Sequence, residues 1–452
     1  MKTPGMVAFA ALALWATDVC ADIVPPHLSW AGDPRSTVTV SWQRDQAGRG
    51  TVWYGLTTNY SHSVSDPGGY QRHRIALEGL SPGQIYHYKV SSSDGFETSA
   101  PTFWTAPAVT DSLHFVVHGD LQGGLDTNWA RTVVARIVGE EPQLVIHTGD
   151  VSDEKYSSDP WPTWLQFFSV MTNELERVVF MPTAGNHDEP SDGNSFYWRM
   201  FTLPERPARA RYYSYDAGNV HFVVLNCDID IASQTNWLAR DLQDAANDTN
   251  VIWIIPYFHR PPYSWGGHEG NGEVKSNWCP VLVKYEADMV FNGHSHTYQR
   301  TVPIRGITYT VTGGGGATLY TTSDDPGLAY HTTCYHYVSA QVTGSVMHYR
   351  GIRSDGLVFE NLVLTNEGRF VRVEPAFPLR GGPVKITYDN SRGALSGAGT
   401  VYVHLGVDSF SGAMVSSAMT YNAGAGLWEY QWTVPATTLY RLVWAFYDGG
   451  ST

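Results

Sequence analysis

The sequence predicts a multidomain chain: an N-terminal β-sandwich, a central α/β sandwich and a C-terminal β-sandwich module. Three observations carry this. Residues 22–107 alternate apolar and polar side chains in short runs broken by Gly, Pro, Asp and Asn, the period of half-buried strands. Residues 108–366 alternate apolar runs with helical stretches such as Trp129–Glu140, Trp161–Glu174 and Gln234–Ala246, a pattern that predicts layered α/β architecture. Residues 384–452 return to short β-type runs.

Taken in order, residues 1–21 read as a signal peptide. Lys2 supplies the positive end, Met6–Ala16 an apolar stretch and Val19-Cys20-Ala21 a small-residue cleavage site. The apolar stretch is too short to span a bilayer, so the expected location is secreted or periplasmic, with no membrane partner. In the first module Trp30, Trp42 and Trp53 read as core rather than as a sugar platform, and Pro101–Ala108 as a link. The central domain should hold strands at His114–His118, Leu144–His147, Val178–Met181, Val251–Ile255 and Met289–Phe291. Ile307–Val311, Tyr335–Val342, Val346–Arg350 and Leu357–Leu364 complete its sheets. The run Gly313–Gly316 lacks the Lys-Ser/Thr of a phosphate-cradling loop and reads as a tight turn. Residues 367–383, punctuated by Pro375, Pro378 and Pro383, read as a linker. The last module has strands at Val384–Tyr388, Thr400–Leu405, Leu427–Val434 and Leu439–Phe446.

Composition bounds the partners. An apolar fraction of 42% with 16 Trp and 26 Tyr supports sizeable β-rich cores. A net charge of -14 argues against nucleic acid and anionic membranes, whose phosphates need a basic surface. Past the signal peptide three cysteines remain, so at most one disulfide can close within the chain. Cys227 ends a strand-like run and reads as a buried thiol, whereas pairing of Cys279 with Cys334 stays open.

The chemistry lies in a relay of short motifs in the central domain. They are Gly119-Asp120-Leu121-Gln122, Gly149-Asp150-Val151-Ser152-Asp153, Gly185-Asn186-His187-Asp188, His259, and Gly293-His294-Ser295-His296. Each closes an apolar run, and ligands in open α/β sheets bind at the carboxyl ends of strands. The expectation is therefore one edge of one sheet carrying Asp, Asp, Asn, His and His-x-His. Carboxylates, an amide and imidazoles without thiolate suit two metal ions such as Fe, Zn or Mn. Two such metals can clamp a phosphoryl group and supply a hydroxide nucleophile near neutral pH.

The order and wording of these motifs resemble the calcineurin-type metallophosphoesterases, most closely the purple acid phosphatases. His259-Arg-Pro-Pro-Tyr263 and Gly293-His-Ser-His-Thr-Tyr-Gln-Arg300 carry the resemblance. So do Leu28-Ser-Trp-Ala-Gly-Asp33, Val38-Thr-Val-Ser-Trp42, Val52-Trp-Tyr-Gly55 and Leu80-Ser-Pro-Gly-Gln-Ile-Tyr-His-Tyr88 in the first module, which is also similar to fibronectin type III domains. The resemblance implies a phosphate-monoester hydrolase. Asp150 would bridge both metals, Asp120 and His296 with Gln122 would hold the first, and Asn186, His259 and His294 the second. His187 would be the general acid, oriented by Asp188, with His268 a second histidine towards substrate. Arg260 and Arg300 would brace loops. The chain departs from the family where purple members carry a metal-bound Tyr: here Asp153 stands, with Tyr156 three residues later. Gln122 stands where non-purple relatives have His. The resemblance therefore implies that Gln122 or Tyr156 replaces the missing ligand, and that with Gln122 in that place the protein is not purple. The last module resembles starch-binding carbohydrate modules through His404 and Val401-Tyr-Val-His-Leu-Gly406, with Phe410 near an expected Trp, so polysaccharide is a second candidate partner. The competing readings are a phosphodiesterase with the same metals and a carbohydrate-binding surface protein with an inert esterase domain.

Overall fold

The computed structural model describes residues 23–99, 101–125, 128–190, 195–204, 211–366, 371–374, 382–388, 398–407, 415–424, 427–433 and 442–447. The expected signal peptide lies outside these, as do Pro375, Pro378 and Phe410.

Two sheets stack face to face in the central domain. In the first, Leu113–His118, Leu144–His147 and Val179–Pro182 run parallel, with His336–Thr343, Val346–Arg353 and Val358–Thr365 antiparallel beyond Leu113–His118. In the second, the hairpin Tyr213–Ala217/Val220–Val224 leads into the parallel strands Trp253–Tyr257, Met289–Asn292 and Thr308–Thr312. Tyr298–Thr301 and Leu328–Thr332 finish that sheet. The interface is aromatic: Phe115 meets Phe222 edge-on at 5.4 Å between ring centres, and Tyr257 donates its hydroxyl to the Met181 carbonyl at 3.0 Å. Continuous apolar runs are what strands buried on both faces require.

Helices cover the outer faces. Trp161–Leu175 buries Trp164, Phe167, Phe168 and Met171 under the first sheet. Ile231–Asn247 packs Leu238 and Leu242 against Val223, Ile254 and Val290 of the second. Its start is capped by Asp230, whose side chain accepts from the amides of Ala232 and Ser233, two of the donors that a helix start leaves unpaired.

The N-terminal module pairs with this core strand to strand. Val24–Ser29 lies parallel to Val179–Pro182, with Leu28 opposite Val179, and Val38–Gly48 and Tyr70–Leu77 continue outward to make one nine-stranded sheet. A second sheet of Gly50–Gly55, His62–Ser65, Ile85–Ser92 and Thr102–Trp104 completes the module. Trp30 and Trp42 are fully buried, as expected, whereas Trp53 is 40% exposed. The expected linker is only partly a linker. Val371–Glu374 is a strand paired with Pro383–Tyr388, which pairs in turn with Leu427–Thr433. Tyr402–Val407, which holds His404, lies between Val415–Ala418 and Leu442–Tyr447 in a second small sheet. Cys227, Cys279 and Cys334 are all free thiols, the first two buried. No described helix is long and apolar enough to cross a membrane.

Candidate metal centre

The relay residues do converge, but from two sheets rather than one. Asp120, Asp150 and Asn186 follow Leu113–His118, Leu144–His147 and Val179–Pro182 in the first sheet. His259, His294 and His296 follow Trp253–Tyr257 and Met289–Asn292 in the second. The correction follows from the stacking, because parallel strands in both layers end on the same side. Asp120, Asp150 and His294 take φ of 62°, 54° and 69°. That region is costly for side-chain-bearing residues and is held where a turn must aim a functional group.

Backbone carbonyls set the imidazoles. His259 donates Nδ1–H to Thr148 O at 3.0 Å, and His296 donates Nδ1–H to Thr318 O at 2.7 Å. Each ring therefore turns its Nε2 inward. His259 Nε2 lies 3.1 Å from Asn186 Oδ1, 3.1 Å from His294 Nδ1 and 3.2 Å from Asp150 Oδ2. Asp150, His259 and His294 offer ligand atoms that all lie within 4.8 Å of one another. On the other side, His296 Nε2 stands 3.6 Å from Asp120 Oδ1 and 3.0 Å from the Gln122 amide nitrogen. Asp120 Oδ2 and Gln122 Oε1 are buried without a hydrogen-bond partner. Buried oxygens without donors are costly, and a cation is what such a site fits. The amide of Gln122 is thus among the candidate ligands. Tyr156 is not: it is 65% exposed, with its ring edge-to-face against His187 at 4.7 Å.

The electrostatics fit the same picture. Burial pushes Asp120 up to about 8. Burial would raise Asp150 too, but His259 outweighs it and holds that carboxyl well below the usual range. Burial pushes His296 down to about 4, keeping its lone pair available. Glycines make room. A Cβ at Gly313 would stand 2.4 Å from Ser295 O and 2.9 Å from Asp120 Oδ2, so the glycine run is a close approach to the loop that carries Asp120. Gly315 and Ala317 donate their amides to the carbonyls of Gly119 and Asp120 at 2.9 Å each.

His187 points Nε2 towards the centre, 3.8 Å from Asp150 Oδ2, and donates Nδ1–H to Asp153 Oδ1 at 2.6 Å. Asp188 does not orient it. Asp188 is fully buried and accepts from the amides of Val151, Ser152 and Gly185 at 3.1, 2.9 and 2.9 Å, tying two ligand loops together. The chain turns after His187, which carries the next side chain inward. Asp153, read in the sequence only as a missing tyrosine, is the partner. His268 stacks on His294 with ring centres 4.1 Å apart and is exposed at the rim. Arg260 donates to Asp228 at 2.8 Å and reaches His294 Nε2 at 3.1 Å, bracing that ring. Arg300 forks onto Glu360 away from the ligands. Tyr320, which no motif marked, lies flat on His296 at 4.3 Å. His336 is buried against Thr312 and Cys334, outside the ligand set.

Comparison with known proteins places this geometry. Residues 113–298 match the calcineurin-like phosphoesterase family, and residues 23–106 match the purple acid phosphatase N-terminal domain. The chain carries a calcineurin-like phosphoesterase domain behind a purple acid phosphatase N-terminal domain. An uncharacterised protein of Mycobacterium tuberculosis is 24% identical over 332 residues, covering 62% of each chain. Purple acid phosphatase 15 of Arabidopsis thaliana is 30% identical over 302 residues, 56% of each. The chain thus spans little more than half the length of these relatives. The structure of a purple acid phosphatase from yellow lupin seeds superposes with a TM-score of 0.66 at 19% identity, over 77% of this chain and 75% of that one, and shows the shared fold. This calcineurin-like phosphoesterase domain implies a dinuclear metal centre, which the donor set fits.

Proposed function

We propose that the protein hydrolyses phosphate monoesters at a dinuclear metal centre, acid phosphatase-like, outside the cytoplasm. The observation that supports this best is the clustering of Asp150, His259 and His294 beside the unpartnered oxygens of Asp120 and Gln122. Asp120, His296 and Gln122 would hold one metal, Asn186, His259 and His294 the other, and Asp150, with two oxygens, both. Fe, Zn or Mn suits these donors. Metals there would supply Lewis-acid charge neutralisation of the phosphoryl oxygens and a low-pKa water.

The protein's own part is orientation and proton transfer. His187, held at Nδ1 by Asp153, presents Nε2 where a leaving alkoxide must take up a proton. His268, stacked on His294 at the rim, faces the same opening and would contact the phosphoryl group. Arg260 holds His294 through its ion pair with Asp228. The test is metal content together with turnover of a panel of mono- and diesters. Asp150→Ala should lose at least one metal equivalent and nearly all turnover. Near-native turnover in that variant, or a preference for diesters in the native protein, overturns the corresponding part of the proposal.

A further inference from the structure

Tyr156 is a large side chain left 65% exposed beside the metal centre, with its ring against His187 at 4.7 Å and 64° between planes. Its base is rigid. It ends the 3-10 turn Glu154–Tyr156, and Lys155 donates its amide to the His187 carbonyl at 2.8 Å. Glu154 is buried, and its carboxylate accepts from Trp164 Nε1 at 3.0 Å, Ser195 Oγ at 3.3 Å and the Phe196 amide at 2.6 Å. The turn is thus clamped to the His187 loop on one side and to the helix Trp161–Leu175 on the other. What it presents is a largely exposed aromatic surface that meets His187 along one side and has the Lys155 ammonium 5.9 Å from its ring centre.

Position gives that surface a use. A proton donor must come within hydrogen-bond reach of the leaving oxygen, so the alcohol leaves past His187. Whatever the alcohol carries then lies next to Tyr156. We infer that Tyr156 is a stacking platform for the leaving group, and that it biases the site towards phosphate monoesters whose alcohol bears a planar aromatic group. This rests on the monoesterase reading above and adds its substrate class. A flat ring covers the exposed tyrosine and gains stacking that a saturated or open-chain alcohol cannot make. At an open site the low end of such stacking, about five- to tenfold, is the expected size.

The experiment compares kcat/KM within two pairs matched for leaving-group type: benzyl against cyclohexylmethyl phosphate, and a nucleoside 5′-monophosphate against ribose 5-phosphate. The native protein should prefer the aromatic member of at least one pair by about five- to tenfold. Tyr156→Ala should bring that ratio towards one, and Tyr156→Phe, which keeps the ring, should preserve it along with metal content. A preference in the benzyl pair alone assigns short aryl alcohols, and one in the nucleotide pair assigns nucleosides. Ratios near one in the native protein, ratios untouched by Tyr156→Ala, or metal loss in Tyr156→Phe overturn the inference while leaving the monoesterase reading standing. Absence of turnover on all four esters overturns both.

Discussion

Replacing Asp153 by Asn separates the two carboxylates that compete for the role of orienting His187. The bond removed is a 2.6 Å charge-assisted contact from Nδ1–H, with a carboxylate side chain that is 39% exposed. Exposure weakens the charge interaction, so the loss should fall below the 10²–10⁴-fold that a whole general acid supplies. Loss of a carboxylate partner that holds a histidine in place costs roughly 10–100-fold, and about tenfold is expected here. The loss should grow with the pKa of the leaving alcohol, because only poor leaving groups need the proton. The assay is a series of aryl and alkyl phosphates with kcat/KM plotted against leaving-group pKa, alongside metal content. Asp153→Asn should steepen that plot and retain both metals. An unchanged slope, or a steeper slope in Asp188→Asn with its metals retained, would refute the assignment of Asp153.

Three further outcomes are expected. Iron-loaded protein should show no tyrosinate charge-transfer colour in the visible spectrum, and Gln122→Ala should weaken binding of one metal by roughly 10–100-fold in chelator competition, a size typical for residues supporting a metal; a coloured protein bleached by Tyr156→Phe contradicts this. His221 is buried, which lowers its pKa, but hydrogen bonds to Asp216 and Asp241 outweigh burial and hold it at about 9 against 6.5 unfolded. Its stabilisation is therefore full below pH 6.5 and lost as pH rises through 9, and denaturant titrations should show a fall of roughly 1–3 kcal/mol, at the low end because Asp216 is 57% exposed, that His221→Gln flattens. Gly313→Ala should push on Ser295 and the Asp120 carboxylate, costing about 1–3 kcal/mol of thermal stability with a matching loss of metal, whereas a neutral effect would mean that the loop moves freely.

The candidate ligands were legible because each is written twice, once as a residue type and once as the end of an apolar run. Leu144–His147 before Asp150 is the clearest case. Which sheet a strand joins is not written locally. The hairpin Tyr213–Ala217/Val220–Val224 that opens the second sheet looks like any other apolar pair. The partner of His187 was misread because Asp188 is adjacent in sequence, while the path of the loop turns Asp188 onto three amides and leaves Asp153 in reach. Prolines suggested a linker around Val371–Glu374, but proline spacing says nothing about pairing with the next strand, Pro383–Tyr388, which itself starts on one of those prolines. Tyr320 had no signal at all, since its placement follows from the Thr318 carbonyl and the Tyr320 amide both meeting His296.

The sheet shared by the first two modules has a consequence for any attempt to divide the protein. Val179–Pro182 is the strand that leads into Asn186 and His187, and its outer neighbour is Val24–Ser29. That neighbour is fastened across the boundary by His27 to the Met200 carbonyl at 2.8 Å and Ser29 to the Thr202 carbonyl at 2.5 Å, while Tyr88 of the module's second sheet donates to the Glu176 carbonyl at 2.7 Å. Cutting the chain between residues 101 and 108 would bare that strand as an open edge, and a flat apolar edge templates self-association. The N-terminal module thus serves the central domain as an edge guard, and the isolated central domain should aggregate before any activity can be measured.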